Sequence, residues 1–184
     1  MVDSLGGIFL NGTVGAGKTT VADRLGDALK QRGIAHAIVD LDAIRRAWPA
    51  PLGDRFGHEL ELANLKVMAA NYALAGIDTF VLAGVIEDPA EIERYRQALG
   101  GRPLLICRIT AREAVRRARL AARHQDDPQG LEWHLHRTTE LEGLLVETAL
   151  DDMVLDSSDR SADAVAGEIL DLWIRHGGEA GLQG

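Results

Sequence analysis

A single cysteine, Cys107, stands in the 184 residues, so no disulfide can form within the chain and nothing asks for an oxidising compartment. Long hydrophobic runs are missing as well: no segment approaches the roughly 20 apolar residues that a membrane span needs. The opening MVDSLGGIFLNG lacks a basic leader region, and its apolar run is shorter than that of a secretory signal. The expected location is the cytoplasm. Positive charge is in deficit, with 20 Lys and Arg against 28 Asp and Glu and a formal net charge of -8. Nucleic-acid backbones and anionic membranes both reward clustered positive charge, so neither is an expected partner, and any anionic ligand must be met locally.

What is present is ordinary globular material. The length suits one domain, and the 46% hydrophobic content is enough for a core. We expect one domain over residues 1–177, with 178–184 a flexible tail. Short apolar runs alternate with longer helix-period segments, the pattern of βαβ units on a parallel sheet. GIFLN, AHAIVDLD, DTFVLAG, PLLICRI and DMVLD are the expected strands. Helices are expected over about 18–32, 59–75, 131–150 and 161–176, with further ones opened by EDPAEIE and over the arginine-rich stretch. Asp88 before Pro89, and Ser161, are candidate N-caps.

Between the first strand and the first helix lies GTVGAGKT, Gly12 to Thr19, which fits G-x-x-x-x-G-K-[ST] at every fixed position. Gly12, Gly15 and Gly17 let the backbone curl so that successive N–H groups point at phosphates, and the following helix adds its positive end. Lys18 is placed to meet the β- and γ-phosphates of ATP, and the Thr19 hydroxyl to meet Mg²⁺. The nucleotide-binding set is then Gly12, Thr13, Val14, Gly15, Ala16, Gly17, Lys18, Thr19 and Thr20.

The second strand ends in VDLDAIRR. In a parallel sheet its carboxyl end shares an edge with the phosphate loop. If the strand continues, alternation sends Asp40 and Asp42 to one side. One carboxylate could then take a proton from an acceptor hydroxyl while the other serves the metal. Arg45 and Arg46 could clamp the acceptor. The alternative is that Asp42 caps a helix starting at Ala43, with the arginines solvated.

With these residues in view, the chain resembles the small P-loop kinases that phosphorylate metabolites and antibiotics. DLDAIR is similar to the D-x-D of shikimate kinases and to the D-G-D-N-[VI]-R of adenylylsulfate kinases. It also looks like the V-D of chloramphenicol phosphotransferase, and the element order resembles that of the whole group, gluconate kinases included. Leu41 and Ala43 depart from the adenylylsulfate motif. The resemblance implies a P-loop NTPase fold, a three-layer α/β/α sandwich on a five-stranded parallel sheet in the order 2-3-1-4-5. It assigns the acceptor hydroxyl to Asp42, and Asp40 to substrate or metal.

The stretch from Arg108 to Arg123 holds Arg108, Arg112, Arg116, Arg117, Arg119 and Arg123 in an otherwise acidic chain. A solvated helix face is one reading. The other is that ARLAAR resembles the R-L-x-x-R of a kinase lid, here about 116–137. Arg119 and Arg123, four apart, would reach one set of phosphates, with Arg116 on the same face and Arg137 on the far side. At the end of the third strand Ala83 and Gly84 stand where many P-loop enzymes carry an aspartate. Glu87 or Asp88 could serve substrate or metal, and Gly84 could admit an acceptor close to the backbone. Asp156, Ser157 and Arg160 resemble an adenine-side loop. Trp48, Trp133, Phe56 and Tyr72 serve either packing or a ring-bearing acceptor. The histidines show no metal-ligand spacing, and His134 and His136 fall on different helix faces, so surface roles are expected.

Together these features point to an ATP- and Mg²⁺-dependent phosphotransferase, a monomer or homodimer, acting on a hydroxyl of a small molecule held by residues of about 42–75. Candidate acceptors are a hydroxylated antibiotic, a sugar acid or adenylylsulfate. A nucleotide-binding regulator or slow ATPase is the rival reading, and a nucleoside or nucleotide kinase a nearer one.

Overall fold

In a computed structural model, which describes residues 6–54 and 56–178, the apolar runs become five strands. These are β1 (Gly7–Asn11), β2 (His36–Asp40), β3 (Thr79–Ala83), β4 (Leu104–Thr110) and β5 (Met153–Asp156). They pair in parallel throughout, in the order β2-β3-β1-β4-β5. This is the 2-3-1-4-5 sheet expected. From residue 179 on, the tail expected to be flexible lies outside the described residues.

The helices are α1 (Lys18–Gln31), α2 (Leu41–Ile44), α3 (His58–Leu74), α4 (Glu91–Ala98), α5 (Glu113–Arg123), α6 (Pro128–Thr148) and α7 (Ala162–Trp173). Side chains alternate along a strand, so neighbours in β1 serve opposite cores. Ile8 and Leu10 join residues of α1 and α7, with Trp173 at the far end. Phe9 joins Val39, Phe80 and Leu82 against α3 and α4. A sheet between two helical layers is the result. Cys107 lies in the first core; burial, then the nearby Asp152 and Asp151, push its thiol up to about 12, leaving it a packing residue.

Local chemistry moves several expected boundaries. Strand β2 stops at Asp40 and does not continue to Asp42. Asp40 is extended, and its Oδ1 accepts from the Ala43 N–H at 3.3 Å, so Asp40 and not Asp42 caps α2. Helix α6 opens three residues before the expected Leu131, because Asp127 accepts from Gly130 N–H at 2.9 Å and Pro128 takes the first turn. Asp88 caps only the turn before α4, accepting from Ala90 N–H at 2.8 Å, and the helix itself starts at Glu91. Ser161 caps α7 as expected, through Ala164 N–H at 3.2 Å. At Gly84 a Cβ would lie 2.5 Å from Leu41 Cδ1, so that glycine makes room for a core leucine and not for an acceptor.

Trp173 is 1% exposed and closes the core between α1 and the sheet. Trp173→Ala is expected to destabilise the chain by about 3–5 kcal/mol. Urea unfolding followed by circular dichroism checks this.

Candidate active site

The phosphate loop leaves β1 at the centre of the sheet. Gly12 has φ 138°, and a Cβ there would lie 2.3 Å from the Ile109 carbonyl oxygen, so no other residue fits. Gly17, at φ 103°, precedes α1 with no side-chain cap, which leaves the first-turn N–H groups of that helix available to an anion. Lys18 folds back over the loop, its Nζ donating to Gly12 O at 2.7 Å and Thr13 O at 3.0 Å. Burial pushes the ammonium down to about 8; Asp42 and Asp40 pull it up, Arg123 and Arg45 down. Thr13 Oγ1 is buried without a hydrogen-bond partner among the described residues. A cation stripped of water, free helical N–H groups and an orphaned hydroxyl around one curled loop fit a bound polyphosphate.

A cleft of about 1290 Å³ opens over this loop at the carboxyl ends of the strands. Thr13, Val14, Gly15, Gly17, Lys18, Thr19 and Thr20 line it, while Gly12 and Ala16 are buried behind the loop. Asp40, Asp42, Arg45 and Arg46 line the side below β2, and Arg119 and Arg123 the side below α5. For a metal, the Thr19 hydroxyl and the Asp40 carboxylate face this same space; no cluster of three or more His, Cys, Asp or Glu is found among the described residues.

On the β2 side the arginines differ. Arg45 is shared between Asp42, with which it pairs directly, and Glu61 on α3 at 3.2 Å. Glu61 has a side chain only 2% exposed and accepts from the Tyr95 hydroxyl at 2.6 Å. Burial pushes its carboxyl pKa up, against the Tyr95 hydrogen bond and the Arg45 charge. Arg46 is exposed and has no ion pair among the described residues. Sequence reading missed Glu61, yet a signal was there: it shares the buried stripe of α3 with Leu65 and Ala69, four and eight residues on.

The basic helix is less uniform than its spacing suggested. Arg119 Nη1 donates to Gly15 O, Ala16 O and Ser157 Oγ at 3.0–3.1 Å, and Nη2 to Ser157 O at 3.3 Å. It braces the loop backbone against the β5–α7 connection, whereas Arg123 makes no ion pair among the described residues and lies near enough to Lys18 to lower its pKa. Arg116 shares their face by spacing but does not line the cleft. It is 8% exposed, and its Nη1 donates to Ala111 O, just before α5, and to Glu142 on α6, both at 2.7 Å. Arg137 lines the cleft from α6, paired with Glu87 and Glu140, its guanidinium 5.5 Å from the Phe56 ring centre.

Trp133 and Phe56 line the cleft, whereas Trp48 is 94% exposed outside it and Tyr72 packs edge-on against Phe80 in the core. Of the adenine-side residues, Ser157 and Arg160 line the cleft, and Asp156 is occupied by Ser158. Three histidines assigned to the surface, His58, His124 and His134, line it too; the last two have ring centres 4.6 Å apart across the α5–α6 junction. His136 falls on the outer groove between α5 and α6, as the spacing requires.

Residues 8–141, which carry the loop, the acidic strand end and the arginine helix, match a family described as an AAA domain. The chain belongs to that family. Among curated relatives, this AAA domain chain is 36% identical over 91 residues to an adenylyl-sulfate kinase of Paraburkholderia xenovorans. The match takes in 50% of this chain and 49% of that one, so the chain spans about half the length of the curated relative. The tunicamycin resistance protein of Deinococcus radiodurans superposes with a TM-score of 0.64 at 19% identity, over 91% of this chain and 95% of the other. The Mycobacterium tuberculosis APS kinase in complex with AMPPNP and APS superposes with a TM-score of 0.53 at 22% identity, over 92% and 97%. The small P-loop kinase resemblance thus holds for family and fold.

Because folding lowers the pKa of Lys18 from 10.5 to about 8, the unfolded chain holds the proton more tightly between those values, and the free protein gains stability as pH rises through that window. Bound phosphates favour the ammonium and pull its pKa back up. Binding of a Mg–nucleotide at pH 9 is therefore expected to take up on the order of one proton, and almost none at pH 6.5. Calorimetry in buffers of different ionisation enthalpy reads this, and Lys18→Met abolishes the uptake.

Proposed function

We propose that this chain is an ATP-dependent phosphotransferase acting on a hydroxyl group of a small molecule. The observation that carries the reading is the meeting of two unlike sites in one cleft. A loop built for polyphosphate faces a half-exposed carboxylate, Asp42, steadied by an arginine. An ATPase or regulator needs the first of these alone. The relatives named as kinases and as an antibiotic-resistance protein support the same class.

In this reading Lys18 and the N–H groups of Gly15, Gly17 and the first turn of α1 hold the β- and γ-phosphates, and Arg123 approaches the transferring group from α5. Arg119 acts through the loop it braces and through the base side of the nucleotide. Thr19, with Asp40 nearby, would hold Mg²⁺, which supplies charge neutralisation between the phosphates. Asp42 accepts the acceptor's hydroxyl proton as that oxygen bonds to the γ-phosphorus; the bond to the β,γ-bridging oxygen breaks and its electron pair leaves with ADP. Arg45 fixes the Asp42 carboxylate, and Arg46 contacts the acceptor. Residues 42–75 form the acceptor region of a single domain, and α5 with the start of α6, residues 116–137, closes over the phosphates to exclude water.

ADP release from Mg–ATP across a panel of hydroxylated metabolites and antibiotics, with Lys18→Ala as blank, tests the assignment. One compound is expected to stimulate release in the wild type only. Asp42→Asn is then expected to lower kcat by about 10²–10⁴-fold while leaving Mg–ATP affinity nearly unchanged. A flat panel alongside tight nucleotide binding, or full turnover in Asp42→Asn, counts against the respective part of the reading.

A further inference from the structure

The most enclosed polar side chain among the described residues is one that the proposed mechanism leaves unused. Asn11, the last residue of β1, is 0% exposed. Its Oδ1 accepts from Gly12 N–H at 2.9 Å and from Ile86 N–H at 3.1 Å, and its Nδ2 donates to Asp151 Oδ1 at 3.1 Å. Those partners belong to three separate segments: the phosphate loop, the β3–α4 connection that carries Glu87 and Asp88, and the α6–β5 connection. Asp151 is itself sealed in, with a side chain 1% exposed, and its other oxygen lies 2.9 Å from Nε of Arg108, whose side chain is 11% exposed. Arg108 Nε and Nη1 find no well-aligned hydrogen bond among the described residues.

The chemistry of this knot is restrictive. Two backbone N–H groups require an acceptor, and a buried carboxylate requires a donor, at the same point. Asparagine supplies both on one short amide. An aspartate there would set two carboxylates against each other out of water, and an apolar residue would strand three buried polar groups without partners. Position 11 is also upstream of both halves of the cleft. It holds Gly12, whose carbonyl receives Lys18 Nζ at 2.7 Å, and it holds Ile86, next to the Glu87 that pairs with Arg137 on α6.

We propose that Asn11 is a positioning residue that locks the phosphate loop to the β3–α4 and α6–β5 connections, so that nucleotide affinity depends on its hydrogen-bond polarity as well as on its volume. This rests on the phosphotransferase reading only for its effect on turnover. Its effect on nucleotide affinity is independent of any acceptor.

The test is a polarity swap in the full chain. Asn11→Asp, Asp151→Asn and the double variant are compared by calorimetric Kd for Mg–AMPPNP, by thermal midpoint, and by the split of kcat against KM for ATP hydrolysis. Asn11→Asp is expected to fold with a lowered midpoint and to bind the analogue about tenfold or more weakly. The double variant exchanges donor and acceptor across the same gap and is expected to return Kd to within about threefold of wild type. An Asn11→Asp protein with a lowered midpoint but wild-type Kd shows a purely structural residue and overturns the proposal. So does a double variant no better than the single. If Asn11→Asp does not fold, Asn11→Gln replaces it, since its amide keeps the polarity at the wrong length; wild-type affinity in that variant overturns the proposal equally. Failure of the phosphotransferase reading would show separately, as absence of acceptor-stimulated ADP release in the wild type, with these Kd values unaffected.

Discussion

A lysine ammonium buried on its own backbone is the constraint to which the rest of the site answers. Lys18 sits on the carbonyls of Gly12 and Thr13, drawn down to about 8 by lost hydration. Such a charge is costly to hold, and it is tolerable only if the loop beneath it cannot sag and if counter-charge lies near. The first condition is met by glycine at position 12, pressed against the Ile109 carbonyl, and by Asn11 and Arg119 gripping the loop from its two ends. The second is met by Asp40 and Asp42, whose charges favour the ammonium.

The sheet makes that arrangement possible. With β1 central and all strands parallel, the loop after β1, the turn after β2 and the connection after β3 emerge on one edge. The acidic strand end and the phosphate loop therefore meet without any long connection. Two cores, one under α1 and α7 and one under α3 and α4, hold β1 from both faces, so the loop is anchored to the strand that both cores share.

Electrostatically, the cleft works by pairing and not by excess charge. In a chain of net charge -8 the arginines lining the cleft are mostly spoken for: Arg45 by Asp42 and Glu61, Arg137 by Glu87 and Glu140. Pairs of this kind orient side chains and fix geometry while adding little net attraction for anions. Arg46 and Arg123 are the exceptions among the described residues, one on each side of the cleft.

The sequence by itself determined the five strands, the phosphate loop and the neighbourhood of Asp42, because these depend on local signals: glycines at fixed spacing, apolar runs of strand length, and an acidic pair beside the first turn of a helix; the strand order came from the family resemblance. Short-range chemistry also carried the Ser161 cap. It misjudged Asp40 and Asp42, since whether a strand ends or continues depends on which carboxylate wins the helix N–H groups. Only the tertiary structure decided which arginines face the cleft. Spacing put Arg116, Arg119 and Arg123 together, but Glu142 on another helix turned Arg116 away, and the carbonyls of Gly15 and Ala16 captured Arg119. The buried partners Glu61, Asp151 and Ile86 were out of reach for the same reason. A hydrogen bond spanning 34, 140 or 75 residues leaves no periodicity in the chain, because it depends on where the sheet and its helices bring distant segments together.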